Sequence, residues 1–504
     1  MYSKRTRLLA FVALLLALGG PAASAPAAAA ATAATSAAAV VPWYYGVYMR
    51  GEKIGSYVMK RTEAMLAGKP ATRTDATMTL DMAVLGTPAR VVTSTVSWNN
   101  RTGTPLALEF TSEASGRTTR VKATYEGRQV RYDADIMGTR KSETLFLKDG
   151  EKFLSEAGSG GGDTPPQPGR HLKGKVFSPQ TLTLLDSDLR VLGREPVILG
   201  GQSVSAYKMI DTNPLATSTL WVTEGGEMLR MDSVMGLQIR REPRETALAP
   251  KAGKQVDIAT AVGIVPTGAA INKPRSLRRG EYELTGLTRP LPLEVDNVQI
   301  TTLQDGEEAG GSLLSARIIV RAAPLPTAPA APLFTPGQSV PDALKPYLRA
   351  TTYIPADDPQ FRSLAEKVLG GETDSAKAAA KIATWVHKTM TPDPSIATLR
   401  TAADIVKSPR GVCRDYATLF TAIARAAGLP TKPCIGIAYA DGRFLYHAWP
   451  EVWVGNDTWV ALEPTWGAPF ADATHIKLAE GEITDIYALS HDLGTYQVKV
   501  LRAE

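Results

Sequence analysis

The chain has 504 residues, more than a single hydrophobic core accommodates, so two to four domains are expected. Hydrophobic residues make up 44% and charged residues 21%, the balance of a globular protein and not of a disordered or fibrous one. The formal net charge is +6, but Lys4, Arg5 and Arg7 supply three of those charges; the remaining +3 (6 − 3) is spread thinly, whereas nucleic acid binding needs a clustered basic face.

In chain order, Lys4, Arg5 and Arg7 precede an apolar run over 8–18 that is too short to span a bilayer comfortably. Ala23-Ser24-Ala25 then offers a small-x-small cleavage site. Residues 1–25 therefore read as a secretory signal peptide, and the product as exported, periplasmic or extracellular; an uncleaved anchor is the competing reading. No later segment approaches 18 consecutive apolar residues, so no stable membrane insertion is expected after leader removal. Residues 26–41 are an Ala-rich, low-complexity segment with too little to bury for a fold of its own.

From Trp43 the pattern turns to short alternating runs between turn signals. Val91 to Trp98 runs up to Asn99-Asn100, and Leu220-Trp221-Val222 up to Glu224-Gly225-Gly226. This spacing predicts a mostly antiparallel β-rich domain over 42–248, interrupted by a Gly/Pro-rich loop at 158–169. A smaller β-rich domain is expected over 249–321, including 293–295 and 316–320. A Pro/Ala-rich linker follows over 322–344, and an α+β domain over 345–504. The Met228, Met231 and Met235 patch reads as core or interface, not as a metal site. Helical spacing returns at 361–369 and 375–390, and five of the eight tryptophans (385, 449, 453, 459, 466) fall in this last part, which points to an aromatic core.

The chemistry is concentrated between residues 411 and 465. Tyr416, Leu419, Phe420, Ile423 and Ala427 recur at helical spacing, and Gly428-Leu429-Pro430 is a stop signal. Cys413 thus sits in the first helical turn, after a permissive Gly411. There the helix N-terminus favours the thiolate, the species that attacks. Asp415, in the same turn, is read as a partner of the helix dipole. The exported context invites a Cys413–Cys434 disulfide, but an intervening helix would hold the two about 20 Å apart. A disulfide needs Cα atoms within about 7 Å, so two free thiols are expected.

Asp441-Gly442 marks a hairpin into the run 444–454, which carries His447. If Gly455-Asn456-Asp457 form the next loop, Val454 pairs with Thr458, and His447 and Glu463 become diagonal neighbours on one face, roughly 7–8 Å apart at the backbone. A two- or four-residue loop would put them on opposite faces. The order thiol, imidazole, carboxylate permits a nucleophile, a base and a group that orients the base. Taken singly, each has a plainer reading: a structural cysteine, a strand histidine, a Glu-Pro strand end. Their combination favours chemistry. Glu451 reads as a salt-bridge residue and Asp472 as a weaker substitute for Glu463. Trp449 or Trp466 could wall a cleft. His171, His387, His475 and His491 are scattered without metal-ligand spacing, and no P-loop, dinucleotide fingerprint or HExxH is present, so neither metal nor cofactor is expected.

The blocks Gly411-Val-Cys413-Arg-Asp415-Tyr416, Arg425-Ala-Ala-Gly428-Leu-Pro430, His447-Ala-Trp449-Pro-Glu451-Val-Trp453 and Trp459-Val-Ala-Leu-Glu463-Pro464-Thr465 resemble the core of the transglutaminase-like superfamily, over about a quarter of the chain. The resemblance implies a papain-like α+β fold and a Cys-His-Asp triad, here Cys413, His447 and Glu463, with Glu in place of the usual Asp. It also implies acyl transfer through a Cys413 thioester on peptide or glutamine amides of a protein substrate. The backbone N–H of Cys413 is the default oxyanion donor. Water needs no second substrate pocket, which favours hydrolysis over amine transfer. The alternative is a catalytically silent scaffold whose β domains bind an envelope partner.

Overall fold

The computed structural model describes residues 41–504 apart from 115, 137, 155–165, 252, 254, 288–290, 292–295, 305–313, 323–329, 395, 397–398 and 482–493. The leader, the alanine tract as far as residue 40, most of the 158–169 loop, the 293–295 stretch, part of the 322–344 linker and His491 lie outside the described residues. The chain packs as two compact units that meet in sequence at Asp257 and Ile258. Among the described residues no helix is long and apolar enough to cross a membrane.

The fold is mostly β, and the N-terminal unit is one antiparallel sheet with fourteen strands among the described residues. Eight strands meander outward from Trp43–Met49 to Thr139–Phe146. Six more return from His171–Ser178 to Leu237–Arg241, whose Arg241 pairs with Tyr45 of the first strand. Period-2 burial drives the pairing: the Lys69–Val84 strand turns Thr72, Thr74, Ala76, Met78, Leu80 and Met82 to one face. The turns Ala67-Gly68 and Leu85-Gly86 have positive φ at both residues, the geometry that matches strand twist in two-residue hairpins. The ends of the sheet share a core, in which Tyr132 stacks on Phe177 with centroids 5.3 Å apart. Lys152 and Leu154 bond along Lys175 and cover part of the last edge strand. Met228, Met231 and Met235 are buried as well.

In the C-terminal unit a five-stranded sheet has the order Thr267–Gly268, Gln497–Ala503, Arg279–Leu287, Leu314–Arg321, Gln299–Gln304. The end of the chain is thus a strand of the sheet that begins near residue 267. A four-stranded antiparallel sheet follows, ordered Trp459–Ala461, Arg443–Trp453, Thr431–Ala440, Ile476–Glu480. Helices Pro359–Leu369, Ser375–Thr389 and Ala402–Lys407 pack on the Cys413–Ala426 helix, which in turn packs on that sheet. Asp374 caps its helix through the Lys377 N–H at 3.0 Å. The Cys413–Ala426 helix is buried on every side from Cys413 to Arg425, not on the single apolar face read from its periodicity. Helices and sheet enclose it, so Thr418, Thr421 and Arg425 are buried as well.

This helix stops at Gly428, whose φ of 81° disfavours any side chain. A Cβ there would also sit 1.8 Å from the Phe334 carbonyl oxygen. Gly428→Ala should cost more than about 1 kcal/mol. The measurement is the urea midpoint of the C-terminal unit, followed by tryptophan fluorescence.

Candidate active site

A buried ion pair positions the start of the Cys413 helix. The Arg400 and Asp415 side chains are 0% and 1% exposed and lie 3.2 Å apart. Arg400 also donates to the carbonyls of Ser408 and Arg410. The other Asp415 oxygen accepts the Val412 N–H at 2.8 Å, capping the helix. Gly411 serves this packing and not a special backbone angle: a Cβ would come within 2.4 Å of Asp415 Oδ2 and 2.6 Å of Arg400 Nη2. Cys413 is the first helical residue, and its N–H is among those a helix leaves unpaired by itself. The Ala448 backbone N–H donates to its sulfur.

The opposing wall comes from strand register. Trp453 pairs with Trp459 and Glu451 with Ala461, and the Val454 N–H donates to Thr458 at 2.9 Å, the register of a three-residue loop. His447 and Glu463 consequently share a face, with His447 Nε2 2.7 Å from Glu463 Oε2. The second Glu463 oxygen accepts the N–H groups of Thr465 (2.8 Å) and Trp466 (3.2 Å), so the turn itself fixes the carboxylate. His447 Nδ1 is buried and has no hydrogen-bond partner among the described residues. Its ring is stacked on Trp466, with centroids 4.6 Å apart at 12°, and lies 6.1 Å from Trp449.

The fold also brings in a residue that sequence spacing left aside. His475 Nε2 lies 2.9 Å from the same Glu463 Oε2, and its Nδ1 lies 3.0 Å from the Asp472 carbonyl and 3.3 Å from its carboxylate. Asp472 binds Arg275 at 2.6 Å, and the Arg275 guanidinium lies over the Trp466 ring at 3.6 Å. Contacts thus run in a closed ring: His447, Glu463, His475, Asp472, Arg275, Trp466 and back to His447. The five-stranded sheet braces this loop, Tyr282 donating to the Ala473 carbonyl at 2.7 Å.

Charge follows burial and partners. Burial pushes the Cys413 thiol up to about 12; the Ala448 N–H and Arg414 pull it back, while Glu463 and Asp415 add to the rise. The helix N-terminus alone does not produce a resting thiolate, which corrects the sequence expectation: desolvation and two nearby carboxylates outweigh it. Burial also lowers the His447 pKa against the pull of Glu463, so the ring is neutral. Burial opposes ionisation of Glu463, but the two histidines hold its carboxyl well below the usual range. For His475 burial works downward, yet Asp472 and Glu463 outweigh it and raise the pKa to about 9. Asp472, raised by burial but lowered more by His475 and Arg275, lies at about 2.

The remaining sequence candidates separate cleanly. Glu451 binds Lys477 at 2.9 Å. Cys413 and Cys434 are both free and buried. Of the five tryptophans only Trp449 is fully buried; Trp385, Trp453, Trp459 and Trp466 are half-buried, so they line edges of the core more than they fill it. Among the described residues two clusters have the span of a cation site, within 4.8 Å: His447, Glu463 and His475; and Cys434, Glu451 and Glu480. In the first, both Nε2 atoms hydrogen-bond one carboxylate oxygen, a proton-filled arrangement. In the second, the Lys477 ammonium already lies 2.9 Å from Glu451 and 3.0 Å from Glu480.

Helix and hairpin thus carry a buried thiol, imidazole and carboxylate in one fold unit. Residues 362–464 match the family model of the transglutaminase-like superfamily, and the chain carries a transglutaminase-like domain there. A Haemophilus influenzae protein described as uncharacterized is 32% identical over 161 residues, covering 27% of this chain and 42% of that protein's length. Two solved structures are also similar. One, a candidate cysteine protease of Cytophaga hutchinsonii, is 16% identical at a TM-score of 0.30, over 44% of this chain and 82% of its own. The other, a candidate protease of Parabacteroides distasonis, is 11% identical at a TM-score of 0.19, over 82% of this chain and 71% of its own. Structural likeness at these scores carries no argument about fold or activity.

Arg400→Met should destabilise the C-terminal unit by about 3–5 kcal/mol, because it leaves Asp415 charged and buried without its partner; urea unfolding measures this. A pH dependence follows from the two linked groups. The His475 contribution is complete below its ordinary 6.5 and is lost as pH rises through about 9. The Asp472 contribution is complete above its ordinary 3.8 and is lost as pH falls through about 2. Between about pH 6 and about pH 9.5 the unit should lose on the order of 3 kcal/mol, and His475→Gln should abolish that decline. Urea midpoints at the two pH values check it.

Proposed function

We propose that this chain is an exported cysteine enzyme, papain-like in arrangement, that cleaves peptide or glutamine amides of a protein substrate through a thioester on Cys413. The observation that carries the reading is the register-held His447–Glu463 hydrogen bond opposite a cysteine at a helix start. With Nε2 bound to Glu463, the proton-accepting nitrogen of His447 is Nδ1. The thiol proton passes to Nδ1 as sulfur attacks the carbonyl, and the Cys413 N–H receives the oxyanion. As the C–N bond breaks, Nδ1 protonates the leaving amine. Nδ1 then takes a proton from water, which attacks the thioester; the C–S bond breaks and the thiol regains its proton. The raised thiol pKa and the lowered imidazole pKa, both from burial, support proton transfer within the attack step itself.

One observation favours a second reading, a silent scaffold whose β sheet binds an envelope partner: Cys413, His447 and Glu463 are only 2%, 2% and 1% exposed. A glutamine-rich protein and a labelled primary amine distinguish the two. New peptide termini or released ammonia without amine incorporation, lost in Cys413→Ala, mean a hydrolase; Cys413-dependent amine incorporation means a transferase. Glu463→Gln should lower kcat on the order of a thousandfold, since the carboxylate sets the His447 tautomer. Indifference to Cys413→Ala across substrates would leave the scaffold.

A further inference from the structure

We propose that His475 is the positioning residue of this site, its imidazole shared between Asp472 and Glu463 so that Glu463 holds His447 by Nε2 and leaves Nδ1 for the thiol. The inference rests on the cysteine-enzyme reading and concerns a residue outside the Cys413, His447 and Glu463 set.

Geometry carries it. Glu463 Oε2 is a single acceptor for two imidazoles, at 2.7 Å from His447 and 2.9 Å from His475. The far nitrogen of His475 is occupied by Asp472, through its carbonyl at 3.0 Å and its carboxylate at 3.3 Å. Both His475 nitrogens therefore face acceptors, and an imidazole with two acceptors is satisfied only when both nitrogens carry protons. A cation at His475 has two effects on His447, whose ring centroid is 5.6 Å away. It takes up part of the Glu463 charge, and it disfavours a second cation at His447. His447 thus stays neutral and able to accept a proton in the pH range where Glu463 alone would draw a proton onto it.

The surrounding charges agree with this assignment. Asp472 and Glu463 face His475 directly, His447 lies beyond Glu463, and Arg275 neutralises the outer side of Asp472 at 2.6 Å. From neighbouring elements Tyr282 faces Asp472, and Cys413 and Tyr416 face Glu463; beyond burial, these carboxylates push the three groups' pKa values up. Glu463⁻, His475⁺, Asp472⁻ and Arg275⁺ alternate in sign, so removing the His475 charge leaves two buried carboxylates facing one histidine and one arginine.

The test compares Cys413 alkylation by iodoacetamide against pH in wild type, His475→Gln and His475→Lys, with unfolding curves confirming each fold. In His475→Gln, which keeps a donor and loses the charge, the acidic limb should move to higher pH. The rate near pH 6 should fall about threefold or more, with less change near pH 8.5. His475→Lys should restore the wild-type limb. Superimposable limbs for wild type and His475→Gln, or equal shifts in both variants, overturn the proposal. Imidazole nitrogen NMR on wild type, with five histidines in the chain, gives a second readout that needs no variant to fold. A ring that stays doubly protonated at pH 8 beside a neutral His447 supports the assignment, and a neutral His475 there refutes it. Failure of wild-type Cys413 to alkylate at any pH would count against the nucleophile instead, and the NMR result would still decide the role of His475.

Discussion

A carboxylate taken out of water must be surrounded by donors, and Glu463 is surrounded by four: two imidazole nitrogens on one oxygen and two backbone amides on the other. These four donors answer to three different structural demands. The amides require the tight Glu463–Trp466 turn. His447 requires the hairpin register, and His475 requires the 472–475 loop to fold inward against the five-stranded sheet. Slipping the hairpin by one residue would turn His447 away and leave a buried charge without its main partner. The site and the local fold are therefore one constraint met at one side chain.

The same solution recurs through the C-terminal unit. Arg400 and Asp415 hold the helix start, and Lys432 and Lys477 share Asp296, Glu451 and Glu480 at the edge of the four-stranded sheet. Such pairs add little net stability, because desolvation offsets their attraction, but losing one partner is costly. Their value lies in direction: an apolar core of equal volume would not dictate which way the Cys413 helix or the His447 ring points. The N-terminal unit contrasts with this, since its buried face is largely aliphatic, aromatic and methionine side chains on a regular meander.

At Cys413 two general effects oppose each other. A helix N-terminus contributes up to about 2 kcal/mol toward an anion, whereas full burial can move a thiol by several pKa units, each about 1.4 kcal/mol. Desolvation wins, and the Cys413 thiol is pushed up to about 12 instead of down.

Much was legible in the residues alone. Alternation and turn pairs indicated the long antiparallel region, helical spacing and Gly428 delimited the Cys413 helix, and a three-residue loop at Gly455-Asn456-Asp457, one of several loop lengths open in the sequence, put His447 on the face of Glu463. These are short-range matters, settled by backbone periodicity and turn chemistry within some twenty residues. Periodicity could not reveal that the Cys413 helix would be enclosed on all sides, nor that its thiol would be desolvated. It could not give Arg400 to Asp415, fifteen residues apart in different elements, or carry the last strand back to the sheet begun near residue 267. Least legible was His475, whose neighbours in sequence carry no ligand spacing. Its role in the ring exists only because the loop after Asp472 folds against Tyr282 and faces a carboxylate placed by another hairpin. Local sequence determined which elements form and which faces they show; only tertiary packing decided which charges meet without water between them, because desolvation depends on everything that surrounds a group and not on its neighbours along the chain.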